Sequence, residues 1–216
     1  MRRLAWLALA ASFGTWDRLR FAAFRARFAS RLELGPDVSP HLRFASLRIA
    51  PGGRVQVGPG FATERQAGNV LWVQEGAALV LGARAWLRTE HGANRITAFP
   101  GARIEVGPDA LLNGAMLHAK RGITIGRDAR LAFGVRVIDS DLHDLDCETP
   151  ERSEPVHIGD RVWLGADCLV LRGVRIGNDV VVGAGSVVTR DLPDRCLALG
   201  APARPVRALA SRQGCA

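Results

Sequence analysis

The stretch IGDRVWLGADCLVLRGVRIGNDVVVGAGSVVTRDLPDRCLALGAPARPVR, residues 158–207, decides how the rest of the chain is read. Aliphatic residues recur in it every six positions: Ile158, Leu164, Val170, Ile176, Val182 and Val188. Six is neither the helical period nor a simple strand alternation. Four places after each aliphatic stand Val162, Cys168, Val174, Val180, Ser186 and Leu192, and Gly follows four of the six aliphatics, as Gly159, Gly165, Gly177 and Gly183. Such a period marks a β-helix in which each hexad supplies one short strand and one corner, and three hexads close a triangular coil. The aliphatic points inward and stacks on its equivalents; the small residue fits the corner.

Working backwards, VQVGPG, LVLGAR, IEVGPD, ITIGRD, VHIGDR and VRIGND put an aliphatic-Gly pair at 57, 81, 106, 125, 158 and 176, at intervals of 24, 25, 19, 33 and 18 residues. One coil takes 18, so the excess measures excursions from the rod. The largest lies between Val137 and Ile158 and contains IDSDLHDLDCETPERSEPVH, rich in carboxylates, with His143 near its start. A long irregular segment on a rigid solenoid is more often functional than accidental.

Residues 104–207 resemble the hexapeptide repeats of acyl-CoA-dependent acetyltransferases, in particular the galactoside, maltose and surface-polysaccharide O-acetyltransferases. DSDLH resembles the DSDFH or DHDH element of that group. The resemblance implies an all-β fold, a left-handed parallel β-helix, to which the residues themselves add an N-terminal amphipathic helical segment. It also implies acetyl-CoA as cosubstrate, a sugar or glycan acceptor, and a homotrimer with sites between subunits. The expected organisation is a basic helical segment over 1–48, a β-helix over 49–207 with a loop projecting at about 139–157, and a short tail over 208–216.

Acetyl transfer from a thioester to a hydroxyl needs a base for the hydroxyl proton and donors for the oxyanion. A neutral imidazole suits the first role near pH 7. His143 is the candidate base, and Asp139, Asp141 or Glu148 stands close enough in sequence to orient its ring. The resemblance assigns the cosubstrate to Trp163 along the pantetheine arm, to Ala166 and Ala184 where the arm lies in a groove, and to Thr189, Arg190, Arg204 and Arg207 at the adenine and phosphates. Some relatives carry Ser where Ala166 stands, so no side-chain hydroxyl is available there. Asn113 falls near an acceptor-contacting asparagine of the galactoside relatives, with His118 shortly after; Asn-Gly is equally a turn signal.

The chain carries 29 Lys and Arg against 21 Asp and Glu, a net +8 over 216 residues. Residues 1–48 hold nine arginines against Asp17, Glu33 and Asp37, so most of the excess sits there. Phe21, Phe24, Phe28 and Leu32 recur at helical spacing beside Arg18, Arg20, Arg25, Arg27 and Arg31, with Thr15 placed to cap after Gly14. This basic amphipathic helix either lies on anionic membrane through residues 1–33 or covers one end of the main domain. Residues 1–12 also resemble a short signal peptide.

No run of about 18 apolar residues marks a bilayer span, and no nucleic-acid module is recognisable. Cys147, Cys168, Cys196 and Cys215 are read as free thiols of a reducing, cytoplasmic compartment, and no Cys/His cluster calls for a metal. Three other readings compete. A serine or other small-molecule acetyltransferase would share the fold, but the serine enzymes carry a longer helical N-terminal domain. A β-helical carbonic anhydrase needs a close histidine pair, which the five histidines do not form. A non-catalytic β-helix module would have no use for the His143 loop.

Overall fold

A computed structural model describes residues 15–28, 30–65 and 68–213. The calls on residues 1–12, on Gly14 and on Cys215 lie outside the described residues, as does the Thr15 side chain. From Leu32 onward the chain winds as a left-handed parallel β-helix with three faces. Among the described residues face one has seven strands, face two eight and face three seven. The chain passes from one to two to three in each coil. The only antiparallel pair in these sheets closes the rod, with Cys196–Gly200 against Ala203–Ala208 on face two.

The six positions read from the sequence stack as one ladder on face one. Val57 pairs with Leu81, Leu81 with Val106, Val106 with Ile125, Ile125 with Ile158, and Ile158 with Ile176. All six are buried. The glycine after each has a steric cause. A Cβ on Gly126 would lie 2.5 Å from the Gly159 carbonyl carbon, and one on Gly159 would lie 2.7 Å from the Gly177 carbonyl oxygen. Coils approach through their backbones at this edge, so no side chain fits between them. At the corners the backbone turns through the left-handed region at Arg161, Asp167, Gly173, Asp179 and Gly185, again every six residues.

Cys168, Val174, Val180 and Ser186, four places after the hexad aliphatics Leu164, Val170, Ile176 and Val182, are also buried, so each of these hexads sends two side chains into the core. Burial pushes the Cys168 thiol up from its usual range. Cys168 Sγ donates to the Gly183 carbonyl at 3.0 Å. Cys147, Cys168 and Cys196 are all unpaired thiols.

The N-terminal end differs from the expected division at residue 48. Leu32–Leu34 already pairs with Val55–Val57, and Ser46–Ile49 pairs with Val70–Val73, so the rod begins inside that segment. The helix itself is Thr15–Arg27. Phe24 and Phe28 meet edge to face at 5.4 Å, and Phe28 is buried in a core shared with Leu32 and Leu42. The aromatic face of the helix is thus a lid on the first coil, where an open β-helix end would otherwise expose its apolar interior. At the other end the tail folds back, with Leu209 N–H donating to the Arg195 carbonyl at 2.7 Å and Arg212 N–H to Asp179 at 2.8 Å.

Candidate active site

The long excursion leaves the edge between faces three and one, after the strand Arg136–Ile138, and returns at Val156–Ile158. Its neck is a short antiparallel pairing. Asp141 N–H donates to the Arg152 carbonyl at 2.9 Å, Glu154 N–H donates to the Asp139 carbonyl at 2.8 Å, and Ser140 bridges Ser153.

Four sets of contacts hold this neck and tip. Asp139 is fully buried, and its carboxylate accepts the backbone N–H groups of Lys120, Arg121 and Gly122, each at 2.7 Å, from the tight corner one coil before. Arg172, one coil after, donates from Nε to Asp141 Oδ1 and from Nη1 to Glu154 Oε1, both at 2.6 Å. Its guanidinium holds the Asp141 carboxyl below the usual carboxylate range. Lys120 Nζ reaches Glu151 at 2.7 Å. At the tip, Asp144 and Asp146 accept loop N–H groups of Glu151, Glu148 and Thr149.

His143 stands exposed on this tip and makes no hydrogen bond among the described residues. Neither Asp139 nor Asp141, expected from the sequence to orient its ring, touches it within this chain. Their carboxylates are spent on the loop's own anchorage. They fix the path of the backbone that carries His143, which is a different service from aligning the imidazole. Glu148 is exposed at the same tip and likewise makes no contact with the ring.

The residues expected at the cosubstrate divide between two places. Ala166 and Ala184 stack in consecutive coils at the edge between faces two and three, where Gly185 N–H donates to the Ala166 carbonyl at 2.8 Å. Trp163 lies just before this edge on the outer side of face two, 45% exposed, in a row with Val181, Leu197 and Arg207. The Arg212 guanidinium lies 5.6 Å from the Trp163 ring. Arg204 donates to the Ala203 carbonyl on the closing strand. Thr189 and Arg190 are exposed at the other edge of face three, the same edge that carries the His143 loop.

Asn113, buried, and His118, half-buried, also part company. Asn113 ends the face-two strand Leu111–Asn113, and its amide meets His91 Nδ1 at 3.0 Å. The His91 ring stacks on Phe133 at 5.1 Å, and Phe133 is 42% exposed. His118 projects from face three in register with Thr97 and Ile138, and its ring meets Phe99 edge on. Burial pushes its imidazole below the usual histidine range.

One chain therefore presents two separated groups. His143, Thr189 and Arg190 occupy one edge of face three; Ala166, Ala184, Trp163 and Asn113 occupy the other edge or the face beyond it. About one hexad, on the order of 15 Å of strand and corner, lies between them. His91, Phe133 and Arg172 carried no sequence signal of their own: His91 lies in a turn of irregular length between Trp86–Arg88 and Arg95–Ala98, and Phe133 and Arg172 sit in corners that the hexad pattern leaves free. Among the described residues no three His, Cys, Asp or Glu side chains gather as a metal ion would require.

Residues 155–190 match the hexapeptide repeat of succinyl-transferase. A galactoside O-acetyltransferase of Lactococcus lactis is 37% identical over 100 residues, which are 41% of this chain and 48% of that protein. A protein of Schizosaccharomyces pombe assigned as an acetyltransferase is 43% identical over 89 residues, 39% of this chain and 42% of its own. The chain thus spans less than half the length of these curated relatives. The crystal structure of a polySia-specific acetyltransferase, NeuO, superposes with a TM-score of 0.55 at 23% identity, over 86% of each chain. AntD, an N-acyltransferase from Bacillus cereus in complex with dTDP and coenzyme A, superposes with a TM-score of 0.57 at 17% identity, over 73% of this chain and 85% of its own.

Proposed function

We propose that this protein is an acetyl-CoA-dependent O-acetyltransferase acting on a sugar hydroxyl of a glycan or glycolipid precursor. The observation that carries the reading is His143, an exposed imidazole on a loop that Asp139, Arg172 and Lys120 anchor to the coils on either side. A rigid rod with one firmly stapled irregular loop concentrates its chemistry there. Similarity to a galactoside O-acetyltransferase over the C-terminal half supports the reaction class.

The two edges of face three define the assembly in this proposal. In a homotrimer of parallel rods, the His143 edge of one copy faces the Ala166 and Ala184 edge of the next. The thioester then lies in the cleft between them, along Trp163 and the small side chains of Ala166 and Ala184. Arg190, Arg204 and Arg207 supply charge for the CoA phosphates, and Thr189 borders the adenine. Asn113 and His118 border the acceptor. Neutral His143 takes the hydroxyl proton as the oxygen attacks the thioester carbonyl. The tetrahedral intermediate collapses with loss of the CoA thiolate, which recovers that proton from the imidazolium. The enzyme works in the cytoplasm, held at an anionic membrane through residues 1–33; no described helix is long and apolar enough to cross one.

Release of CoA thiol, followed colorimetrically with acetyl-CoA and a panel of glycans, serine and other small acceptors, tests the reading. Glycan-dependent release that His143→Ala lowers by 10²–10⁴-fold is expected. Turnover of serine in preference to sugars selects the small-molecule enzyme, and CoA binding without turnover selects a non-catalytic module.

A further inference from the structure

The helix Thr15–Arg27 has a second face that the lid does not use. Successive residues turn by about 100°, which sets Trp16, Leu19, Ala22, Ala23 and Ala26 opposite Phe21, Phe24 and Phe28. All five are exposed. Trp16 is 76% exposed and Leu19 57%, the two large exposed apolar side chains of the helix, while Phe21 and Phe24 pack against the core. The same rotation places Arg18 and Arg25 along one border of this stripe and Arg20 and Arg27 along the other, all exposed. Its outward face is thus a narrow apolar stripe, Trp at one end, between two rails of guanidinium groups.

We propose that this outward face docks on an anionic lipid surface, with Trp16 and Leu19 in the headgroup boundary and the four arginines on phosphate headgroups. Sequence periodicity offered the cap and the membrane as alternatives. The structure gives each its own side of the helix, so one does not exclude the other. Charge argues for lipid over a second protein chain: the rails are uniformly basic, and residues 1–48 carry nine of the chain's arginines against three acids. A tryptophan suits the interface because its ring is apolar with one polar edge. The helix caps the first coil, so the membrane would meet that end of the rod and the His143 loop, in the fifth coil, would stand away from it. A lipid-linked acceptor would then need to extend from the surface to reach the site. The inference rests on the membrane association proposed above and not on the catalytic assignment; its test reads binding, so acetyl transfer can fail without affecting it.

The test is co-sedimentation of the full chain with vesicles of phosphatidylcholine containing 30% phosphatidylglycerol, against phosphatidylcholine alone. Binding to the anionic vesicles that weakens with salt is expected, falling about fivefold for each of Arg18, Arg20, Arg25 and Arg27 replaced by Gln. The double variant Trp16→Glu, Leu19→Glu should lose at least tenfold while keeping the thermal unfolding midpoint and soluble-acceptor turnover, because neither side chain belongs to the lid. Equal binding to neutral vesicles, or unchanged binding by the double variant, overturns the proposal. So does absence of vesicle binding together with a concentration-dependent oligomer that the double variant dissolves, since the face would then be a protein contact. A deletion of residues 1–33 is unsuitable because it removes Phe28 and Leu32 from the core.

Discussion

Asp139 separates a role in holding the loop from a role in catalysis. In Asp139→Asn the best rotamer places the amide oxygen where Oδ2 accepts Arg121 and Gly122, and turns its NH2 against the Lys120 N–H that Oδ1 now accepts. Two charge-assisted bonds become neutral ones, at about 1 kcal/mol each, and one N–H loses its acceptor at about 1–2 kcal/mol more, because the corner is partly exposed and water can return. The expected loss is about 3–4 kcal/mol. Urea unfolding at one fixed protein concentration measures it, and hydrogen exchange at the amides of Lys120, Arg121 and Gly122 locates it. Relative to the parent, those three amides should lose more protection than any others outside the loop. If Asp139→Asn unfolds within about 0.5 kcal/mol of the parent and keeps that protection, the anchoring account fails. A shifted pH–rate profile with unchanged stability would instead return Asp139 to the role of orienting the His143 ring.

Two glycines with opposite surroundings test the packing argument. Gly126→Ala drives a Cβ into the backbone of Gly159 and should destabilise by about 3 kcal/mol. Gly185→Ala meets nothing within 4 Å and should lose only about 1 kcal/mol, from its φ of +68°, in the same unfolding assay. Arg172→Lys replaces a fork on two carboxylates by a point charge. It should lower kcat about tenfold, leave the KM for acetyl-CoA unchanged and loosen exchange protection over residues 140–153, whereas a purely structural Arg172 would leave kcat in place. Burial depresses the His118 pKa, so folding favours the neutral ring. Its share of stability is intact above the unfolded value of 6.5 and declines as pH falls through that value towards the folded one. Thermal unfolding midpoints between pH 7.5 and 5 should therefore drop more steeply in the parent than in His118→Gln.

Much of the rod was legible because a β-helix repeats one steric problem. Each coil must bury an aliphatic at the same height and let backbones touch at the same corner, so Val57, Leu81, Val106, Ile125, Ile158 and Ile176 announce their own ladder. The excursion at about 139–157 was legible as a break in that arithmetic. The first coil was harder, since the turn Pro40–Phe44 takes the place of a face-two strand and hides the period. That the rod covers the Phe21, Phe24 and Phe28 side of the N-terminal helix was invisible for another reason: periodicity finds an apolar face but not what covers it. The duties of Asp139 and Arg172 depend on groups 17–31 residues away in sequence that the coil brings within hydrogen-bonding distance. No local pattern records such a pairing.

The central claim is that neither edge of face three is a site by itself, and that the site forms where the His143 edge of one copy meets the Ala184 edge of another. Subunit mixing tests it directly. His143→Ala removes the proposed base from one edge and Ala184→Trp fills the groove on the other; each variant alone should be inactive in thiol release. After unfolding and refolding an equimolar mixture, random assembly leaves about one site in four with both edges intact, and about a quarter of parent activity should return. A mixture that stays as inactive as its components would contradict the claim, because it would place both groups in a site within one chain.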